Sequence, residues 1–165
     1  LMHIDALVRF VIPFYHPPPK MLRLGGFHSF DLTNATLIYD TRNLELQSDG
    51  RGWHIYTLTE DSQIEFNPAL CQFFHTNNLV QIKLRSDSAG TLQFFWGNDH
   101  GFFATKEGRS STTAKIKSGE NTLLLAAGIG NCTRLRLDPT NAAGHQILIR
   151  ELSVALLSIN RVPIR

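Results

Sequence analysis

The residue types best suited to chemistry are spread through this chain without the spacing that chemistry needs. Seven histidines stand at His3, His16, His28, His54, His75, His100 and His145. None belongs to an HxH or HExxH pattern, which is what places two imidazoles on one metal. Cys71 and Cys132 are the two cysteines, too few for a disulfide scaffold, and neither sits in a CxxC pair. They can bridge the domain or serve as separate small core residues. Cys71 follows Ala69-Leu70 and Cys132 precedes a strand, so both are expected buried and unpaired. No GxSxG elbow is present, and Gly128-Ile129-Gly130-Asn131 lacks the Lys-Ser/Thr ending of a phosphate loop. The acids fall mainly in turns, at Asp49, Asp61, Asp87 and Asp99. No enzyme is expected. No cofactor is expected either, apart from a structural calcium that Asp138 and Asn141 could ligate from the turn Asp138-Pro139-Thr140-Asn141. The commoner use of Asp before Pro is to cap its own turn.

Aromatic residues are the stronger signal. Trp53 and Tyr56 lie on one alternating run, and Phe94-Phe95-Trp96 leads straight into the polar turn Gly97-Asn98-Asp99-His100-Gly101. In a strand Phe95 cannot share a face with Phe94 and Trp96, so one of the two faces carries an outward ring. An exposed ring beside amides, a carboxylate and an imidazole suits a sugar, whose CH face stacks while its hydroxyls take the hydrogen bonds. The expected ligand-binding residues are Trp96, Asn98, Asp99, His100, Trp53 and Tyr56.

The elements that must position these residues are short and strand-like. Period-two alternation marks residues 43–47, 52–59, 62–66 and 79–86, with further strands at 91–96, 113–117, 122–126, 133–138 and 146–155. Ser48-Asp49-Gly50 and Asp87-Ser88-Ala89-Gly90 read as turns. Helical periodicity is confined to a turn or two at 68–75. About eight to ten strands at this spacing define an all-β sandwich. A jelly roll fits better than an immunoglobulin fold, because 165 residues exceed the roughly 100 of that fold and its Cys–Trp–Cys spacing is missing.

Bulk composition agrees with a folded domain. The hydrophobic fraction is 42% and the charged fraction 18%, too apolar for disorder. Sixteen basic against fourteen acidic residues leave a formal charge of +2. The densest basic stretch holds only Lys106, Arg109, Lys115 and Lys117 with Glu107 among them, so no nucleic-acid partner is expected. Residues 1–26 read as an apolar segment, helical or extended, followed by the stiff spacer Pro17-Pro18-Pro19. The sandwich is expected over 27–158, with a tail at 159–165. Residues 1–15 are shorter than the ~20 of a membrane span and lack a signal-peptide pattern. Both ends read as cuts from a longer polypeptide.

Two segments carry a resemblance to a known family. The first is Leu92-Gln93-Phe94-Phe95-Trp96-Gly97-Asn98-Asp99-His100-Gly101-Phe102: an aromatic strand, a polar turn, then Gly-Phe. The second runs from Leu135-Arg136-Leu137-Asp138-Pro139 through Asn141-Ala142-Ala143-Gly144 into Ile147-Leu148-Ile149-Arg150-Glu151-Leu152. Together they resemble the carbohydrate-binding-module-like jelly-roll domains attached to bacterial membrane glycosyltransferases and other polysaccharide-handling proteins. The resemblance covers 27–156 and departs from the usual Ser/Glu stretch at 104–108. It implies an accessory, non-catalytic domain in a membrane-associated or extracytoplasmic setting, placed after a membrane helix. Two functions follow: weak recognition of a glycan or polysaccharide through the aromatic and polar patch, or a structural module that positions a neighbouring catalytic or membrane domain.

Overall fold

The computed structural model describes residues 21–98, 101–102, 110–129 and 132–160. The strands are β1 (Met21–Leu24), β2 (His28–Ser29), β3 (Ile38–Arg42), β4 (Leu44–Asp49), β5 (Gly52–Thr57), β6 (Gln63–Phe66), β7 (Asn78–Ser86), β8 (Gly90–Asn98), β9 (Gly101–Phe102), β10 (Ser111–Ile116), β11 (Gly119–Ala127), β12 (Arg134–Asp138) and β13 (Gln146–Asn160). Two sheets face each other. One has the order β11-β7-β13-β5-β4, with β1 and β2 also paired to β13. The other has the order β10-β8-β12-β6-β3, with β9 paired to β8. Pairing is antiparallel throughout the described residues, and the result is the expected β-sandwich.

Alternation along each strand decides what goes inside. Trp53, Ile55, Val80, Ile82, Leu84, Ile147 and Ile149 face inward from the first sheet. Ile64, Phe66, Leu92, Phe94, Leu135 and Leu137 meet them from the second. An aromatic chain runs through the middle, with the ring centroids of Trp53 and Phe66 6.1 Å apart, Phe66 and Phe94 6.4 Å, and Phe94 and Phe74 6.0 Å.

Connections mostly change sheets, as a jelly roll requires. The turn 87–90, read from sequence simply as a turn, carries the chain from β7 in one sheet to β8 in the other. At Ser48-Asp49-Gly50 the reading of a tight turn holds: β4 and β5 form a hairpin closing at Asp49 and Gly52. Gly52 has φ 130°, and a Cβ there would sit 2.0 Å from the carbonyl oxygen of Ile149 on β13. The glycine therefore answers both a backbone and a packing demand.

Helix is limited to two 3₁₀ segments among the described residues, Ala35–Leu37 and Pro68–Phe73. The second coincides with the expected turn at 68–75. It is opened by Asn67, whose Oδ1 accepts the Ala69 N–H at 3.0 Å, and Pro68 suits its first position.

The cysteines correct the sequence reading. Cys71 and Cys132 form a disulfide, with Cα atoms 5.4 Å apart and a sequence separation of 61. They lie at the end of the sandwich where the 3₁₀ segment passes the chain leading into β12. Spacing along the chain carried no trace of this proximity. The sheet also reaches beyond the expected sandwich limits, because β1 at Met21–Leu24 pairs with Leu157–Asn160. Among the described residues no helix is long and apolar enough to cross a membrane.

Candidate functional site

The expected aromatic patch is not assembled. Trp96 is 5% exposed and faces the core, its ring centroid 6.4 Å from that of Phe94. Trp53 is 1% exposed, and its Nε1 donates to the Leu32 carbonyl at 2.7 Å. Neither ring presents a face to a ligand, and the assignment of both as binding residues is corrected accordingly. The reason is the strand alternation itself. Leu92, Phe94 and Trp96 take the inner face of β8 and leave Phe95 as the outward ring, where the Arg136 guanidinium covers it at 4.0 Å. Asn98 ends β8, opposite Gly101. Asp99 and His100 lie outside the described residues.

Asp138 and Asn141 also have structural work. Arg136 Nε lies 2.9 Å from Asp138 Oδ1, and Asn141 Oδ1 accepts the Thr91 N–H at 2.9 Å. The turn between β12 and β13 is thereby fastened to the start of β8. Burial pushes the Asp138 carboxyl up to about 6, against the opposing pull of Arg136. Among the described residues no group of three or more His, Cys, Asp or Glu converges in a way that could hold a metal ion.

Of the three expected rings, Tyr56 does reach solvent, at 41% exposure. It stands on the outer face of β5, opposite in sense to Trp53 and Ile55, and lines an open groove of about 670 Å³. This groove crosses the outer face of the first sheet from β4 to the start of β11. Strand register sets its contents in two rows. In one, Gln47, His54, Leu148 and Arg85 stand side by side on β4, β5, β13 and β7, and Gly119 at the start of β11 completes the lining. In the other, Glu45, Tyr56 and Gln146 are neighbours, and Asp87 follows where its N–H meets the Gln146 carbonyl at 3.1 Å.

Two features fix this surface. His54 Nε2 lies 3.1 Å from Asp49 Oδ2 in the β4–β5 hairpin. The Arg51 backbone N–H, with its guanidinium, holds the Asp49 carboxyl down to about 2. On the other side of Tyr56, buried Thr57 ties down the loop before β13: its Oγ1 donates to the Ala142 carbonyl at 2.8 Å and accepts the His145 N–H at 3.0 Å. By contrast Glu45, Gln47, Tyr56, Arg85, Asp87 and Gln146 make no side-chain hydrogen bond or ion pair among the described residues. The arrangement offers one ring, two amides, two carboxylates and a guanidinium to whatever enters. These groups both donate and accept.

Sequence reasoning reached Tyr56 and missed its neighbours. Glu45 and Gln47 are the polar positions of Asn43-Leu44-Glu45-Leu46-Gln47, and Arg85 is the last polar position of the β7 alternation. The period was legible. Which outer face would be hollowed, and which strands would flank β5, depended on pairings far apart in the chain.

No protein-family model matches the chain, and no curated protein matches it. Solved structures do match in fold. A family 29 carbohydrate-binding module aligns with TM-score 0.53 at 14% identity, covering 81% of this chain and 89% of the module. BiXyn10A CBM1 in its apo form aligns with TM-score 0.51 at 12% identity, covering 78% and 96%. The C-terminal family 6 module of LamC, a marine laminarinase from Zobellia galactanivorans, aligns with TM-score 0.50 at 8% identity, covering 79% and 100%. The chain shares the sandwich fold of carbohydrate-binding modules. The expected jelly roll is what these comparisons bear out.

Proposed function

We propose that this chain is a non-catalytic module that binds a glycan in the groove centred on Tyr56. The observation that carries the reading is the set of uncommitted polar side chains around one exposed ring, on a sheet face that the register holds rigid. An apolar sugar face stacks on an aromatic ring, and hydroxyls need donors and acceptors in fixed places. The fold likeness to carbohydrate-binding modules supports the same reading. Binding is expected to be weak, because an open groove leaves much of the ligand hydrated and buries little area. The Cys71–Cys132 disulfide fits an extracytoplasmic setting, since such bonds persist in oxidising compartments. Attachment to a polysaccharide-handling protein is the setting in which such a module would act.

The test is a titration of the chain with a panel of soluble polysaccharides, beside Tyr56→Ala. Saturable binding that Tyr56→Ala removes, with an unchanged melting temperature, is the expected result. A chain that binds no polysaccharide would instead be a structural module for a neighbouring domain.

A further inference from the structure

Charge in the groove narrows the ligand class. Among the described residues that line it, the uncommitted charged groups are Arg85 on one side of the balance and Glu45 and Asp87 on the other. His54 is engaged with Asp49. Lys83 and Arg150 are also paired: Lys83 Nζ lies 2.7 Å from Glu151 Oε2, and Arg150 Nη1 lies 3.1 Å from Glu120 Oε2. A polyanion entering the groove would meet one guanidinium and two carboxylates. Like charges brought together at a binding surface are costly and reject the wrong partner.

A hydroxyl faces no such conflict. It donates to a carboxylate and accepts from a guanidinium, and the amides of Gln47 and Gln146 can serve it either way. Arg85 on β7 and Asp87 in the turn that follows it stand two residues apart, at most about 7 Å between their Cα atoms. This spacing lets an acceptor and a donor address neighbouring hydroxyls of one chain. The direction of the groove follows from the rows. From β4 to β11 the lining crosses four inter-strand steps, about 19 Å at the usual sheet spacing of ~4.8 Å. The lining runs from one edge strand of the sheet path, β4, to the other, β11, so a polymer can pass across.

Resting on the glycan reading of this groove, we propose that its ligand is an uncharged, extended polysaccharide lying across the strands. Glu45 and Asp87 turn acidic polymers away, and Arg85 reads hydroxyls rather than a ligand carboxylate.

The experiment measures affinity of the whole chain for glucomannan, mixed-linkage β-glucan and xyloglucan against polygalacturonate and alginate, at about 0.15 M salt to suppress non-specific attraction. The double variant Glu45→Gln/Asp87→Asn, shown to be folded by its melt, is run alongside. It keeps a carbonyl acceptor at each position while removing both charges. At least one neutral polymer should bind tenfold or more tightly than either acidic one, and the double variant should narrow that gap about tenfold. Polygalacturonate or alginate binding as well as the neutral polymers would overturn the exclusion while leaving the glycan reading intact. An unchanged gap in the double variant would overturn the role of the two carboxylates. Silence across the whole panel would overturn the glycan reading and this inference with it.

Discussion

Of two rings expected to meet a ligand, Trp96 turns into the core and Tyr56 reaches solvent. Trp96 stands beside a polar turn yet is buried, so Trp96→Ala is expected to cost about 3–5 kcal/mol through lost contacts and the cavity left behind. Chemical denaturation would show this as a lower midpoint. Tyr56→Ala should leave the midpoint nearly unchanged. Asp138 makes a different kind of prediction. Burial raises its carboxyl from 3.8 to about 6, so the folded protein holds that proton more readily than the unfolded chain. The stability this contributes is whole below about pH 3.8 and is lost as pH rises through about 6. A shift of that size corresponds to roughly 3 kcal/mol at most. Asp138→Asn should remove this decline, gaining on the native protein between pH 4 and pH 7. Melts of the two proteins at matched pH values measure it, and parallel curves would refute the assignment. At this scale the sequence conveyed which residues alternate, but not which of two faces was the inner one for β8.

Strands and their connections carry the next set of consequences. Gly52 closes the β4–β5 hairpin against the β13 backbone, so Gly52→Ala forces either a strained left-handed residue or a shift of β5 away from Ile149. Each response disturbs the register that places His54 and Tyr56. A loss of more than 1 kcal/mol is expected, together with weakened groove binding. The disulfide links elements that share no strand pairing. Reduction, or Cys71→Ser/Cys132→Ser, should cost up to about 4 kcal/mol by loop-closure entropy for a 61-residue separation, read from thermal melts with and without reductant. No change on reduction would mean that the bond adds nothing to stability. Strands with clean alternation, such as β4, β5 and β7, were readable from the chain. β3 (Ile38–Arg42) was not, because Tyr39 is exposed and only Ile38 leans on the core, leaving no period to detect. The disulfide and the sheet-switching turns depend on tertiary proximity, which local pattern does not encode.

At the scale of the whole molecule, two sheets divide the labour. Their facing surfaces supply a continuous apolar core, and the outer face of the β11-β7-β13-β5-β4 sheet gathers polar residues from segments about a hundred positions apart in sequence, from Glu45 to Gln146. That gathering explains why the site was so much less legible than the fold. A sandwich follows from many short periodic runs, whereas the groove exists only once β13 inserts between β5 and β7. The central claim is that this face, and not the aromatic strand Phe94-Phe95-Trp96, meets the ligand. The most direct test is an amide chemical-shift titration of the isotopically labelled chain with an oligosaccharide cut from whichever polysaccharide it binds. Perturbations are expected at His54, Tyr56, Arg85, Asp87 and Gln146, with β8 and β12 unmoved. Shifts centred on β8 and β12, or spread over neither sheet, would contradict the account.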